Sequence, residues 1–414
     1  MGESKRMKRF AFVVLAACGG SEDPCEGVSG ECLALSSGAS YDEIQTALIE
    51  VSSGGTVAFG AGTFELPIDL SLDVDGVTIK GAGMNRTTLS FAKQTTGAQG
   101  MLVTANDFAI HDIAFEDAPG DALKILGARG VTIQRVRVEW TNGPNETNGA
   151  YGLYPVQCQD VLIEDSLVIG ASDSGIYVGQ SDRIVVRNNR AEQNVAGIEI
   201  ENSSHADVYR NTATKNTGGI LVFNLPDLAV KNGAGTRVFD NSIVDNNTEN
   251  FAPAGNIVGK VPAGTGIALL AAHDVEVFGN TIADHLSVNI GVISYVPTEI
   301  PVDDPSYDQY PTKIYIHDNT LTGVSDQPTG ELGALLISAL GEILPNGPYI
   351  VPDIAWDGVV DPARVPDAAD KICIRGNGDA DFINLAWPLF DATKPAMAMG
   401  PHDCSHPSLP AVAL

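Results

Sequence analysis

Apolar and polar residues alternate along this chain in short bursts, and through its middle the bursts recur about every two dozen residues. One frame, apolar-x-apolar-x-x-Asn, reads IVVRNN to Asn189, ADVYRN to Asn211, TRVFDN to Asn241, VEVFGN to Asn280, IYIHDN to Asn319 and ICIRGN to Asn377; VTIKGA, FAIHDI, VTIQRV and VLIEDS fit it without the asparagine. A second frame, Gly-apolar-x-apolar, recurs at Gly152, Gly175, Gly197, Gly219, Gly266, Gly291 and Gly333. Alternation is the strand period, with every second side chain turned inward. Units this short leave no room for crossover helices, so like strands must stack in parallel as rungs roughly 4.8 Å apart. The pattern predicts an all-β chain: a single-stranded right-handed parallel β-helix of about ten rungs. The recurring asparagines are expected to form a structural ladder in one turn, each amide bonding its neighbours and the backbone taking the left-handed conformation there.

Ahead of the rungs, YDEIQTALIEV places Ile44, Ala47, Leu48 and Val51 on one helical face. A helix there would cap the first rung, whose edge and apolar interior would otherwise be open. The expected organisation is a signal peptide over 1–17, a tether over 18–38, the β-helix over 39–343, and a Pro-rich C-terminal segment over 344–414 with a last rung at 371–377.

The helix, GGTVAFGAGTFEL, GVTIKGAG and the repeated rungs together resemble bacterial right-handed parallel β-helix repeat proteins, the carbohydrate-binding and sugar-hydrolase type of repeats in the pectin-lyase-like superfamily. The resemblance runs from about Ala39 to Asn377 and implies the fold; the superfamily holds lyases, hydrolases, epimerases and non-catalytic proteins, so it implies no single activity. It is also similar to exported β-helix lipoproteins of Gram-negative bacteria. Mannuronan C5-epimerase-like members carry a Tyr-Gly segment leading into Asp-Pro-His-Asp. Here YGLYPVQ keeps Tyr151, Gly152 and Pro155 but has Tyr154, Val156 and Gln157 where the acids and the histidine would fall. The Asn-Thr-Asp and Gly-Asp-Asp signatures of polygalacturonases occur on no rung.

In the Gly frame Tyr154, Tyr177, Glu199, Leu221 and Ala268 form one outward column, and Gly179, Glu201, Phe223 and Leu270 a second. Gln180, Asn202 and Asn224 close the strands, Asp173 precedes one, and His205 lies near a neighbouring turn. Aromatic rings that cover sugar C–H faces, with amides and carboxylates for hydroxyls, are what a glycan-binding face needs; an ordinary solvated strand face carries the same residue types. The expected ligand-binding residues are Tyr154, Asp173, Tyr177, Gln180, Asn202, His205, Phe223 and Asn224. Glu199 and Glu201, two apart on one strand, are the catalytic candidates, at a spacing that also suits an acid–base pair. Four insertions flank this face, at WTNGPNETNGAY, NLPDLAVKNGAG, NNTENFAPAGNIVGKVPAG and SYVPTEIPVDDPSYDQYPTK, and are expected to wall it into an exposed groove.

Composition narrows the partners. With 44% hydrophobic residues the chain can bury a core, and 44 glycines with 23 prolines suit many short strands and turns. A formal net charge of −28 repels nucleic acid and anionic lipid and disfavours a bare polyanion. No cofactor is expected, and Ca²⁺ enters only as a bridge to an anionic polymer. MGESKRMKR, FAFVVLAA and the lipobox-like Leu15-Ala16-Ala17-Cys18 read as an export signal ending in a lipidated cysteine. Gly19 then points to the outer membrane, periplasmic or cell-surface, with the lipid as the only membrane contact. Cys25 with Cys32 and Cys373 with Cys404 are expected as disulfides of an oxidising compartment, in preference to a metal site at His402, Cys404 and His406. The functional expectation is binding or modification of a polysaccharide, the alternative a non-catalytic scaffold whose loops bind a partner protein.

Overall fold

The computed structural model describes residues 23–414 apart from 344–345, 348, 365–366, 368–369 and 387–396. The expected signal segment and Cys18 lie outside the described residues. Parallel strands coil through about 13 turns, more than the ten counted from the motifs. The additional turns lie where neither frame is kept, as at Thr56–Phe59 and Ile354–Trp356. The sheet already begins at Cys32–Leu35, inside the segment read as a tether, because those residues pair in register with Thr56–Phe59.

The strand period dictates the core. On the face that carries the Gly frame, eleven strands stack from Ile68–Leu72 to Phe382–Asn384. Leu153, Ile176, Ile198, Ile220, Ile267, Ile290 and Ile354 line up in one inward column and are fully buried. Two motif assignments differ. Gly291 aligns with Ala268 and not with Gly266, whose partner in the next rung is Asn289. Gly333 belongs to a helix, Gly330–Ile343 (α2 below), because GELGALLISALGEI carries a helical and not a strand period.

The asparagine ladder forms as a continuous buried chain. Asn189 donates through its backbone N–H and Nδ2 to Asn211 Oδ1, and the same pair of bonds links Asn211 to Asn241, Asn241 to Asn280, Asn280 to Asn319 and Asn319 to Asn377. The left-handed backbone sits one residue earlier than expected, at Asn188, Arg210, Asp240, Gly279, Asp318 and Gly376. That leaves each ladder asparagine free to turn inward. Five residues on, a second ladder runs from Asn194 through Asn216 to Asn246 and ends on His285. Asn246 Nδ2 donates to His285 Nε2, so the imidazole proton sits on Nδ1 and faces Asn289 Oδ1. Burial pushes that imidazole down to about 4 and keeps it neutral. This ladder also explains the Gly frame: a Cβ at Gly197 would stand 2.8 Å from Asn216 Nδ2 and 2.6 Å from the Gly219 carbonyl oxygen.

Both ends are covered. The N-terminal helix, Tyr41–Glu50 (α1), opens on a Ser40/Glu43 capping box and buries Ile44, Ala47 and Leu48 against the first rungs. Its Gln45 both donates to and accepts from the Ser71 backbone at 3.0 Å, pairing the edge of the outermost strand as a further strand would. At the other end the Cys373–Cys404 disulfide holds the tail, and His402 packs on Phe382 with centroids 4.5 Å apart. The tail then turns back along the coil, Leu409 N–H donating to Glu276 and Val412 N–H to Asp207. Cys25 and Cys32 form the second disulfide.

Replacing Asn241 by Ala removes the acceptor of two Asn211 donors and the donor to Val208 O in a buried turn. Loss of roughly 3 kcal/mol is expected, since buried partners left unpaired cost about 1–3 kcal/mol each. Chemical denaturation of the purified protein measures it.

Candidate functional site

Register places the candidate side chains. In the first outward column Lys124 pairs with Tyr154, and Tyr177 is followed rung by rung by Glu199, Leu221, Ala268, Gly291 and Ala355. In the second, Gly179 is followed by Glu201, Phe223, Leu270 and Ile293. The columns therefore grade from tyrosine through carboxyl to purely apolar.

The polar end is a compact cluster. Tyr151, Tyr154 and Tyr177 stand with ring centroids 4.4, 4.6 and 5.0 Å apart. Gly179 makes this possible: its missing side chain is where the Tyr177 ring lies, so the Tyr177 hydroxyl reaches Glu201 Oε1 at 2.6 Å. The Tyr151 hydroxyl lies 3.5 Å from Asp173 Oδ2, to which Asn256 Nδ2 also donates at 3.1 Å. Ser174 Oγ donates between Asp173 and Glu199 Oε2, while Glu199 Oε1 is buried without a hydrogen-bond partner. At the partly open edge Lys124 Nζ sits 4.6 Å over the Tyr154 ring and 3.5 Å from Asp121.

Burial sets the proton inventory. It pushes Asp173 up to about 7 and Glu201 up to about 7, and, with the charges of Glu201 and Asp173, holds Glu199 well above the ordinary carboxylate range. Burial and the same carboxyls raise all three phenols, so no tyrosinate forms near neutrality. Such a cluster can hand out protons from carboxylic acids; it does not supply a phenolate base. Among the described residues no group of three or more acids, histidines or cysteines is arranged to hold a metal ion.

The expected exposed groove is not present over most of the face. Glu199, Glu201, Asp173, Tyr177 and Phe223 are buried, Glu199 at 1% and Tyr177 at 4% exposure. The reason is that the insertions fold onto the strip instead of standing beside it. Val258, Val261, Tyr295 and Tyr307 pack on Leu221, Phe223, Ala268 and Leu270. The amides expected to meet a ligand hold these loops: Gln180 Oε1 accepts from Ala229 N–H, Asn202 Nδ2 donates to Leu225 O and Val230 O, and Asn224 exchanges bonds with Gly233. His205 opens a strand of the other sheet, where its Nδ1 lies 2.7 Å from Asp182. Tyr154 remains half-buried at the edge. Asp121, Lys124 and Asn256 join the site without having been expected. Asp121 and Lys124 lie on DALKIL, a rung that lacks the Gly frame; Asn256 arrives from a loop more than eighty residues away.

The apolar end holds a cavity of about 420 Å³ floored by Ala268, Gly291 and Ala355, with Phe223, Ile257 and Leu336 on its walls. It contains none of the clustered carboxyls.

Residues 99–285 match the family model described as right handed beta helix region, which gives the hand of the coil. Among solved structures the chain is similar to the A-module of the mannuronan C-5 epimerase AlgE4 of Azotobacter vinelandii, at 21% identity and TM-score 0.53, covering 85% of this chain and 93% of that one. The AlgE6 A-module of the same organism matches at 18% identity and TM-score 0.50, over 83% and 92%. These likenesses show the fold. No curated protein matches the sequence. Where the epimerase-like motif would place acids and a histidine, Tyr154 joins the aromatic cluster, Val156 is buried and Gln157 is an exposed left-handed turn residue.

Because Glu201 binds its proton more tightly folded than unfolded, its contribution to stability is complete at acid pH and lost as pH rises through about 7. Glu201→Gln keeps an acceptor for Tyr177 and removes the titration. The variant should melt several degrees above the parent at pH 8 and close to it at pH 4.5, read by thermal denaturation at both values.

Proposed function

We propose that this chain binds a polysaccharide at the tyrosine–carboxyl cluster and modifies it by acid–base chemistry. The observation that carries the reading is three touching tyrosine rings laid over three buried carboxyl groups on the outward face of the coil. Tyr151, Tyr154 and Asp121, at the accessible edge, are the contact residues; Asp173, Glu199 and Glu201 are the proton reservoir behind them. Asp173 passes its proton through the Tyr151 hydroxyl to a glycosidic oxygen as the C–O bond breaks, and the water that adds to the freed sugar carbon returns a proton to Asp173; Glu201 holds a second proton behind the buried Tyr177 hydroxyl. The fold, shared with modules that are mannuronan epimerases, supports the substrate class. The residues at Tyr154, Val156 and Gln157 argue against epimerisation itself.

A second reading has its own observation. Loops cover the middle of the face, Tyr307 bonding Asn224 O and Asn232 bonding Ser306 O, as they would in a non-catalytic scaffold that presents loops to a partner protein. The two part under mutation. Tyr151→Ala with Tyr154→Ala should abolish polysaccharide binding or depolymerisation in a screen of the soluble body and leave the melting curve cooperative; aromatic contacts of this kind dominate binding. Unchanged binding in the double variant would move the function to the loops.

We further propose that the chain is exported and anchored at Cys18 in an outer membrane, in keeping with its two disulfides. Metabolic labelling with a fatty-acid probe should mark the wild type and not Cys18→Ala; equal label in both would remove the anchor.

A further inference from the structure

The charge of the site is lopsided. Asp121, Asp173, Glu199 and Glu201 act on one another or on the same tyrosines, and among the described groups that act on them Lys124 is the one cation. The phenols of Tyr151, Tyr154, Tyr177 and Tyr307 complete the set of titratable neighbours. From the covering loop comes Asn256, an amide. Two further facts bear on what such a site takes. Glu199, one rung beyond Tyr177, keeps a buried Oε1 with no hydrogen-bond partner. The Lys124 ammonium already shows how the edge receives a positive charge, above the face of one ring and beside a carboxylate.

We propose that the saccharide taken by this site is cationic, a polymer of amino sugars with free amino groups, and not a neutral glycan or a uronate. The inference rests on reading the cluster as a polysaccharide site. An ammonium brought to the edge meets the electron-rich faces of Tyr151 and Tyr154 and the Asp121 carboxyl, and it favours release of the protons that burial holds on Asp173 and Glu201 up to about 7, in surroundings that screen poorly. Its N–H groups are donors of the kind Glu199 Oε1 lacks. A uronate would bring a further carboxylate to a group of acids that a single lysine balances, where like charges repel through poorly screening surroundings. An N-acetylated sugar would make the ring contacts and forgo the charge. Lys124 is then a gatekeeper that occupies the cation position until ligand displaces it.

Three oligosaccharides of equal length test this by calorimetric titration: a fully deacetylated β-1,4-glucosamine oligomer, its N-acetylated counterpart and an oligomannuronate. The glucosamine oligomer should bind at least tenfold more tightly than either of the others, with an affinity that falls as salt is raised. Glu201→Gln and Asp173→Asn should each weaken it at least tenfold. Lys124→Gln, at the edge and harmless to the coil, should bind it at least as well as wild type. Equal or tighter binding of the N-acetylated oligomer or the oligomannuronate, still abolished by Tyr151→Ala with Tyr154→Ala, would overturn the cationic assignment and leave the polysaccharide site standing. So would loss of glucosamine binding in Lys124→Gln. No binding by any of the three would overturn both.

Discussion

From Asn189 to Asn377 each turn of this coil must bend at the same place as the turn beneath it, and buried asparagine side chains impose that. Every ladder amide spends its donors on the next rung's side chain and on an inward strand's carbonyl, so a rung displaced by one residue would bury unpaired polar groups and turn its isoleucines to solvent. From this constraint follow the straight columns on the outer face. A Tyr, a Glu and a Leu separated by some two dozen residues become neighbours at strand spacing because the turns leave them no other position.

Much of the architecture was therefore readable in advance. The ladder asparagines and the Gly frame gave the period and the inward columns, and the apolar face of YDEIQTALIEV gave the capping helix, because each is a local pattern. The second ladder was equally visible, at five residues past Asn189, Asn211 and Asn241, and its relation to the glycines is steric. The candidate site was legible only in part. Tyr154, Tyr177, Glu199 and Glu201 were placed on one face correctly, but their burial was not foreseen. Whether an insertion stands beside a sheet or lies down on it depends on contacts such as Asn256 with Asp173, which no periodicity encodes. Asp121 and Lys124 escaped because alignment by motif stops where the motif does.

The face has two chemistries on one strip. At Tyr151, Tyr154 and Asp173 it is aromatic and acidic; four rungs on, at Ala268 and Gly291, it is apolar and hollow. Leu221, Phe223 and Val258 fill the space between them. Glu199 keeps its proton well above the ordinary carboxylate range, and Asp173 and Glu201 keep theirs up to about 7, because that packing, with the loop above it, keeps water from them. The loops thus bear on the acidity of Asp173 and Glu201 whether or not they touch a ligand.

The Cys373–Cys404 bond joins the last strand of one ladder, Ile372–Arg375, to a tail that has no other covalent hold. That strand docks on Thr312–His317 in register with Tyr315, so the stack beneath it sets where Cys373 stands. The bond therefore couples the tail to the last rung: whatever pulls Ile372–Arg375 off the stack carries the tail with it, and reduction would release the tail while leaving the register of the strands in place.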